Sequence, residues 1–244
     1  MTFTAVSNIR SRIVLAVGLT ALAAFPAYAA QISYDVMDPS NLNFSNLNTS
    51  DTKQGNYSDS LPLPLFNPTL GVLTEVTFTL EGAVYGNAEG ENEDPQNPDT
   101  ITLDLSSTLT ATGPNSTSVV SIPLVQDIGT VSANPSGDTT YASPYSVVDD
   151  GAFATQTESN NYTDPVTLAA YTGFGTFSFS LMSKGSSTAS DTNGDINSQF
   201  RTYSGGEITV TYTYDTYTPE PGPMVLIGAA LVGLGLLRHK NPVR

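Results

Sequence analysis

Oxygen-bearing side chains recur at alternate positions in the run DTNGDIN, residues 191–197. The first, third, fifth and seventh positions hold the candidate calcium ligands Asp191, Asn193, Asp195 and Asn197. Calcium takes oxygen ligands, and its binding loops space them in this way. Two departures weaken the pattern, because Ile196 replaces the expected glycine and Thr202 replaces the bidentate acid that closes such loops. The alternative is a hairpin turn, which Asn193-Gly194 favours.

A second group of carboxylates lies earlier in the chain. Its members are Glu89, Glu91, Glu93, Asp94 and Asp99. A calcium site is one interpretation of this group, and a solvated loop between two strands is the other. One end of a sandwich could bring this group and the loop at 191–197 together, but the sequence does not show whether it does.

Catalytic chemistry has little to build on in this sequence. The single histidine, His239, belongs to a C-terminal tail that we expect to be removed, which excludes a Ser-His-Asp triad and histidine-liganded zinc in the mature body. A glycosidase with two carboxylates is the enzyme class that the composition leaves open. No spacing singles out such a pair, and the chain has no tryptophan to line a sugar subsite. We therefore expect no enzymatic activity.

The aromatic residues offer a third kind of chemistry, stacking on sugar rings. Alternation along the chain places Tyr212 and Tyr214 on the same face as Val210, so these two tyrosines are expected in the core. Candidate stacking rings are those of Tyr85, Tyr141, Tyr162 and Tyr217. A secreted carbohydrate-binding module is accordingly an alternative function for the chain.

The elements that would position these residues are strands. Apolar residues alternate with hydroxyl and other polar residues over 76–81, 101–106, 177–181 and 208–215, which is typical of half-buried antiparallel strands. Weaker strand patterns cover 32–36, 61–66, 119–125 and 145–148, and only 165–171 favours a short helix. About eight strands without a long helix predict an all-β fold, an antiparallel two-sheet β-sandwich.

Charge and cysteine content narrow the classes of partner. All 23 acidic residues but only three of the eight basic ones fall within 35–220, so this part of the chain carries a net charge of −20. Such a field repels nucleic acid and favours cations. Cysteine is absent, so disulfides and thiolate metal sites are excluded.

The N-terminus has the pattern of a signal peptide. Arg10 and Arg12 precede an apolar run at 13–25, and Pro26 and small residues follow it. Thirteen helical residues cover roughly 20 Å, less than a bilayer core of about 30 Å. We predict that signal peptidase removes 1–29, leaving an acidic sandwich domain at 30–217.

The C-terminus, 218–244, combines a Pro-Glu-Pro motif, an apolar run at 224–237 and a basic end. The motif and the basic residues are Pro219, Glu220, Pro221, Arg238 and Lys240. This order resembles the PEP-CTERM sorting signal of Gram-negative bacteria. The resemblance implies a transient transmembrane helix and recognition and removal by an exosortase, an integral-membrane enzyme. A permanent tail anchor is the alternative, although fourteen apolar residues are few for that role.

The body also resembles a family. The stretches LPLFNPTLGVLTEVTFTLEGAVYG within 61–86, DPVTLAAYTGFGTFSFSL at 164–181 and SQFRTYSGGEITVTYTY at 198–214 are similar to the choice-of-anchor E domain. That resemblance implies a bacterial surface protein and carries no catalytic residue. We therefore expect an exported structural or adhesive protein of the cell surface or extracellular matrix. Extracellular polysaccharide is its candidate partner.

Overall fold

The computed structural model describes residues 29–217 except 51, 136 and 138. Within that part the chain forms eleven strands, one short helix and a 3-10 turn at 114–116. The elements are β1 (Ala29–Asp38), β2 (Lys53–Gln54), β3 (Tyr57–Pro64), β4 (Gly71–Asn92), β5 (Asp99–Thr112), β6 (Ser118–Ser121), β7 (Leu124–Val131), β8 (Ser146–Tyr162), α1 (Pro165–Ala170), β9 (Thr176–Gly185), β10 (Thr188–Ser190) and β11 (Ile196–Thr216).

Two antiparallel sheets pack face to face, which confirms the predicted β-sandwich. The first sheet has the order β1-β11-β4-β8, with β2 added to β11. The second has the order β10-β5-β9-β3, with β6 and β7 also paired to β5. The number of strands exceeds the predicted eight, partly because the pattern at 119–125 is divided between β6 and β7. Pro123 lies at that division and has no N–H to donate to a ladder.

The core lies between the sheets and follows the predicted alternation. Val76, Phe78 and Leu80 of β4 are fully buried, as are Phe179 and Leu181 of β9. Each strand therefore presents one apolar face to the opposite sheet.

The predicted core tyrosines and the predicted helix are confirmed. Tyr212 is fully buried and donates its hydroxyl to the carbonyl of Pro64 at 2.7 Å, and Tyr214 packs against the same core. Helix α1 begins after Asp164, whose Oδ1 accepts the N–H of Thr167 at 2.9 Å. Such a cap satisfies one of the free donors at a helix start.

Two long strands, β4 and β11, form the centre of the first sheet. β4 has 22 residues and β11 has 21, and they pair antiparallel from Ile196 opposite Asn92 to Thr216 opposite Gly71. The segment 39–50 lies over the outer face of this sheet, where Leu42 and Leu47 bury Ala83.

The turn at Asn193-Gly194 differs from the predicted hairpin. β10 before it pairs with β5, whereas β11 after it pairs with β4, so this turn carries the chain from one sheet to the other. The predicted sorting segment lies outside the described residues, and so does the predicted signal segment except for Ala29, which begins β1. Among the helices in the described part of the chain, none is both long and apolar enough to cross a membrane.

Candidate ligand-binding face

One end of the outer face of the first sheet gathers polar and aromatic side chains in matching register. Residues of β4 and β11 stand there directly opposite each other, in the pairs Glu89–Gln199, Asn87–Arg201 and Tyr85–Tyr203. Alternate residues of a strand share a face, so the six side chains point away from the core together. Phe153 of β8 lies opposite Tyr85 and extends the row to a third strand. We refer to these seven residues as the outer-face site.

The polar half of the outer-face site encloses a small cavity. Asn87, Glu89, Gln199 and Arg201 line about 160 Å³ of space, and the Gln199 amide donates a hydrogen bond to the Glu89 carboxylate. In the described part of the chain Arg201 makes no ion pair, so its guanidinium donors face the cavity region unneutralised. Two amides, one carboxylate and one guanidinium offer both donors and acceptors to a ligand rich in hydroxyls.

The aromatic half forms a row across three neighbouring strands. The rings of Tyr85 and Tyr203 have centroids 6.2 Å apart with planes at 53°. Phe153, on the other side of Tyr85, is 53% exposed. Tyr85 and Tyr203 are half-buried, and Tyr85 also packs against the cluster of Leu42, Leu47 and Ala83. Aromatic rings next to polar groups are typical of binding surfaces.

A β-bulge in β8 places Phe153 in this row. Gly151 is the extra residue, so Asp150 stands opposite Asn87 whereas Ala152 stands opposite Gly86. The bulge shifts the alternation by one residue, which buries Ala152 and turns Phe153 outward. Gly151 has a φ of +77°, where a side chain would be strained, and it donates its N–H to Asn87 Oδ1 at 3.3 Å.

The connection between β7 and β8 packs against the end of β4 that follows Glu89. Glu91 is fully buried beneath it and accepts the Tyr141 N–H at 3.1 Å and the Asn134 side-chain amide at 3.5 Å. Burial, together with the charges of Glu89, Glu91 and Glu93, raises the pKa of Tyr141. Tyr141 therefore lies near these three glutamates, although it does not line the cavity.

The predicted calcium ligands mainly form hydrogen bonds that stabilise their own turn. Asp191 Oδ2 accepts the N–H groups of Gly194 at 2.5 Å and Asp195 at 2.8 Å, and the Asn193 amide donates to the Pro98 carbonyl. Asn197 lies in β11 opposite Glu91. Across residues 29–217, leaving aside the three that are not described, no three acidic or histidine side chains are grouped closely enough to hold a metal ion. Calcium binding stays a prediction.

The two acidic stretches do meet in the fold. Asp99 Oδ1 accepts the Thr192 N–H at 2.9 Å and the Thr192 hydroxyl, and Glu93 donates its N–H to the Asp195 carbonyl at 2.8 Å. Asp99 is 2% exposed, and its Oδ2 has no hydrogen-bond partner. Burial raises the pKa of Asp99, but hydrogen bonds from Thr192 and Thr100 outweigh burial and lower it overall.

The solvated-loop interpretation of 89–99 holds only for the part that follows Asn92, because residues 89–92 belong to β4. β4 continues to Asn92, so Glu89 lines the cavity and Glu91 is buried. Asp94 holds a tight turn by accepting the N–H groups of Gln96 and Asn97.

The four candidate stacking tyrosines lie in different structural environments. Tyr85 lies in the ring row, and Tyr141 lies near Glu89, Glu91 and Glu93 but does not line the cavity. Tyr162 packs on Phe78 in the core, and its hydroxyl bonds Ser118. Tyr217 is 62% exposed but follows the far end of β11.

Sequence reasoning missed Tyr203, Phe153 and three cavity residues, Asn87, Gln199 and Arg201. Alternation along the strand could have identified part of this set. Residues 199, 201 and 203 lie earlier in β11 at odd-numbered positions, as Thr209 and Thr211 do, so they belong to the same polar face of the strand. The sorting residues Pro219, Glu220, Pro221, Arg238 and Lys240 lie outside the described residues.

Comparison with known proteins adds no functional information. No family model matches the chain, and no curated protein matches it. Two solved structures of infectious bursal disease virus, from the Gx and Gt strains, are similar to 85% of the chain at 11% and 10% identity, with TM-scores of 0.15 and 0.11. The chain spans about half the length of those viral chains.

Proposed function

We propose that this chain is an exported, non-catalytic adhesive or structural protein of the cell surface or extracellular matrix, and that its sandwich domain binds neutral polysaccharide through the outer-face site. Signal peptidase and an exosortase process its two ends. The observation that supports the binding function is the row of Phe153, Tyr85 and Tyr203 beside a cavity lined by amide, carboxylate and guanidinium groups.

The chemistry of a sugar ring matches both halves of this site. A pyranose has apolar C–H faces that pack on aromatic rings, and its edges carry hydroxyls that both donate and accept hydrogen bonds. Asn87, Gln199 and Arg201 supply donors, and Glu89 is an acceptor. The same site thus accounts for the adhesive function and for the carbohydrate-binding alternative.

The charge of the domain selects the class of glycan. Twenty net negative charges between residues 35 and 220 repel polyanions such as uronic-acid polymers. The single cation in the cavity, Arg201, is accompanied there by Glu89. Neutral polysaccharides are therefore the preferred ligand class.

A glycan array with the purified chain tests this proposal. We expect saturable binding to neutral glycans that falls by about tenfold in Tyr203→Ala and in Arg201→Ala, equivalent to about 1.4 kcal/mol each. Thr209→Ala is the matched control, since Thr209 lies on the same face of β11 but away from the cavity and should leave binding unchanged. Thermal melts of each variant show whether the fold is retained.

Two results would contradict the proposal. Binding that is unaffected by both site variants would place the ligand elsewhere, and a lack of binding across neutral glycans would remove the polysaccharide function. Incubating each bound glycan with the protein checks for turnover. Hydrolysis would replace the non-catalytic function with that of a carboxylate-pair glycosidase.

A further inference from the structure

A lysine side chain lies between two carboxylates at one edge of the sandwich. Lys53 Nζ is 2.5 Å from Asp38 Oδ1 and 2.7 Å from Asp59 Oδ2. Asp38 ends β1 and Lys53 begins β2, both in the first sheet, whereas Asp59 lies on β3 of the second sheet. In the described part of the chain these are the only two ion pairs.

The first carboxylate is held in an environment that does not suit a charge. Asp38 is 6% exposed, and its Oδ2 is buried without a hydrogen-bond partner. A buried carboxylate oxygen with no donor is costly, and a single ion pair offsets little of the cost of removing the charge from water. Converting Asp38 to a neutral group would remove the part of this cost that comes from the charge.

The amine is sheltered as well. The ring of Tyr57 covers Lys53 Nζ at 5.1 Å from the ring centroid, and the Lys53 side chain is 35% exposed. The Asp38 carboxyl carbon is one bond beyond the oxygen that Nζ contacts. Holding an amine against a carboxyl carbon in a partly dry site replaces a reaction between separate molecules with one between fixed neighbours.

We propose that Lys53 and Asp38 are joined by an intramolecular isopeptide bond, with Asp59 as the acid and base for its formation. Lys53 Nζ attacks the Asp38 carboxyl carbon, and a C–N bond forms as one C–O bond breaks. Nζ gives up two of the three protons of the ammonium group, each taken by Asp59 and passed to the departing oxygen, which leaves as water. Ammonium and carboxylate thus become amide and water, Asp59 returns to its starting state, and no oxidant or further reactant is consumed.

The two carboxylates are suited to different roles. Burial raises the pKa of Asp38 despite its bond to Lys53, so Asp38 more readily becomes the neutral acid that an amine attacks. The hydrogen bond from Lys53 lowers the pKa of Asp59, which keeps Asp59 ionised as a base. Burial alone would lower the pKa of Lys53, but its bonds to Asp38 and Asp59 raise it, so proton transfer to Asp59 must precede attack.

The bond would supply the covalent constraint that disulfides give to other exported proteins. The chain has no cysteine. An Asp38–Lys53 link closes a loop around the segment 39–52, part of which covers Ala83 on the outer face. A crosslink of this kind restricts the unfolded chain and so favours the folded one.

Intact-mass measurement of the purified chain after full denaturation in guanidinium tests the inference. We expect a mass about 18 Da below that of the sequence, equal to one water. Lys53→Arg and Asp38→Ala should restore the full mass, and so should Asp59→Asn in a protein that still melts cooperatively. Lys184→Arg is the control, since Lys184 makes no ion pair in the described part of the chain, and it should keep the reduced mass.

Peptide mapping locates the lost water. A chymotryptic digest, which cuts at Leu42, Phe44 or Leu47, should leave the peptides that carry Asp38 and Lys53 joined. Wild-type protein of full mass would overturn the proposal. So would water lost elsewhere, such as at Asp150-Gly151, with Asp38 and Lys53 on separate peptides. Full linkage in Asp59→Asn would overturn the function of Asp59.

Discussion

Phe78 of β4 and Phe179 of β9 meet edge to face between the two sheets, with ring centroids 4.9 Å apart and planes at 84°. Both rings are fully buried. We expect Phe78→Ala to lower the free energy of unfolding by about 3–5 kcal/mol, because it leaves a cavity where the sheets meet. Guanidinium unfolding curves measure this change. Phe174→Ala is the matched control, since Phe174 is 73% exposed, and a similar loss in that variant would contradict the assignment of the core.

Like charges face each other on the outer side of the first sheet. Glu207 stands directly opposite Glu81, and burial, together with the charges of Asp35 and Glu81, raises the pKa of Glu207. The folded state then holds its proton more tightly than the unfolded one, so this group reduces stability as the pH rises above 4.5. We expect Glu207→Gln to raise the melting temperature near neutral pH and to have no such effect in acid.

Three further measurements test whether relief of charge repulsion causes this gain in stability. Glu81→Gln should give a similar gain, the double variant should gain less than the sum, and about 1 M salt should shrink all three effects. A gain that is unchanged by salt would point to packing and not to repulsion.

Asp99 contributes to stability in the opposite direction. Hydrogen bonds from Thr192 and Thr100 lower its pKa below 3.8 despite burial, so the unfolded state binds the proton more tightly. Its contribution is present above the unfolded pKa and is lost as the pH falls through that of the folded state. Asp99→Asn should therefore flatten the acid side of a urea-stability profile. Asp104→Asn, in the same strand, is the control, and a matching flattening there would refute the specific role of Asp99.

We predict that calcium binds at the loop 191–197 and stabilises the folded domain. Calcium at 100 times its dissociation constant should raise stability by about 2.7 kcal/mol, and Asp195→Ala should remove that gain. Asp191→Ala is a poor test because the Asp191 carboxylate holds the turn. Glu93→Ala, in the other acidic stretch, reports whether that group contributes, because the buried Glu91 carboxylate has a structural role in accepting the Tyr141 N–H. Identical melts in calcium and in a chelator would dismiss the metal.

Processing at both ends is predicted from segments outside the described residues. Protein isolated from the native cell envelope should lack residues 1–29 and the apolar run at 224–237. Glu220→Ala should leave uncleaved protein in the membrane if an exosortase reads the Pro-Glu-Pro motif. Intact-mass analysis of both forms measures this, and a native chain running from Met1 to Arg244 would contradict the sorting signal.

The strand pattern in the sequence is clear only where both sheets offer apolar side chains. β4 alternates up to Leu80, but its later inward positions include Gly82 and Gly90, so the hydrophobic pattern fades although the strand continues. A lack of space for a side chain explains why these two positions are glycine. A Cβ on Gly82 would meet Ser121 Oγ at 2.6 Å, and one on Gly90 would meet Leu103 at 2.9 Å. The close approach of the second sheet leaves no room for side chains that would have revealed the strand.

The outer-face site depends on information that a local pattern does not carry. Parity within β11 places residues 199, 201 and 203 on one face. Which strand lies beside β11, and in which register, depends on the packing of the whole first sheet. The position of Phe153 depends further on the bulge at Gly151. Tyr85 and Tyr141 were accessible from the sequence as candidates, whereas their partners required the fold.

β11 joins the two places at which an adhesive protein would be pulled. Gln199 and Arg201 lie near its first residues, and Thr216, at about 3.3 Å per residue, lies roughly 55 Å away at its other end. Antiparallel hydrogen bonds to β4 along its whole length, and to β1 over its second half, run perpendicular to the strand. Tension between a held ligand and the C-terminal end of the domain therefore loads β11 along its own axis. The share of this load that enters through Gln199 and Arg201 passes along the covalent chain of β11. The share that enters through Asn87 and Glu89 of β4 reaches Thr216 only across the β4–β11 bonds, which resist together in shear and do not open one after another from an end.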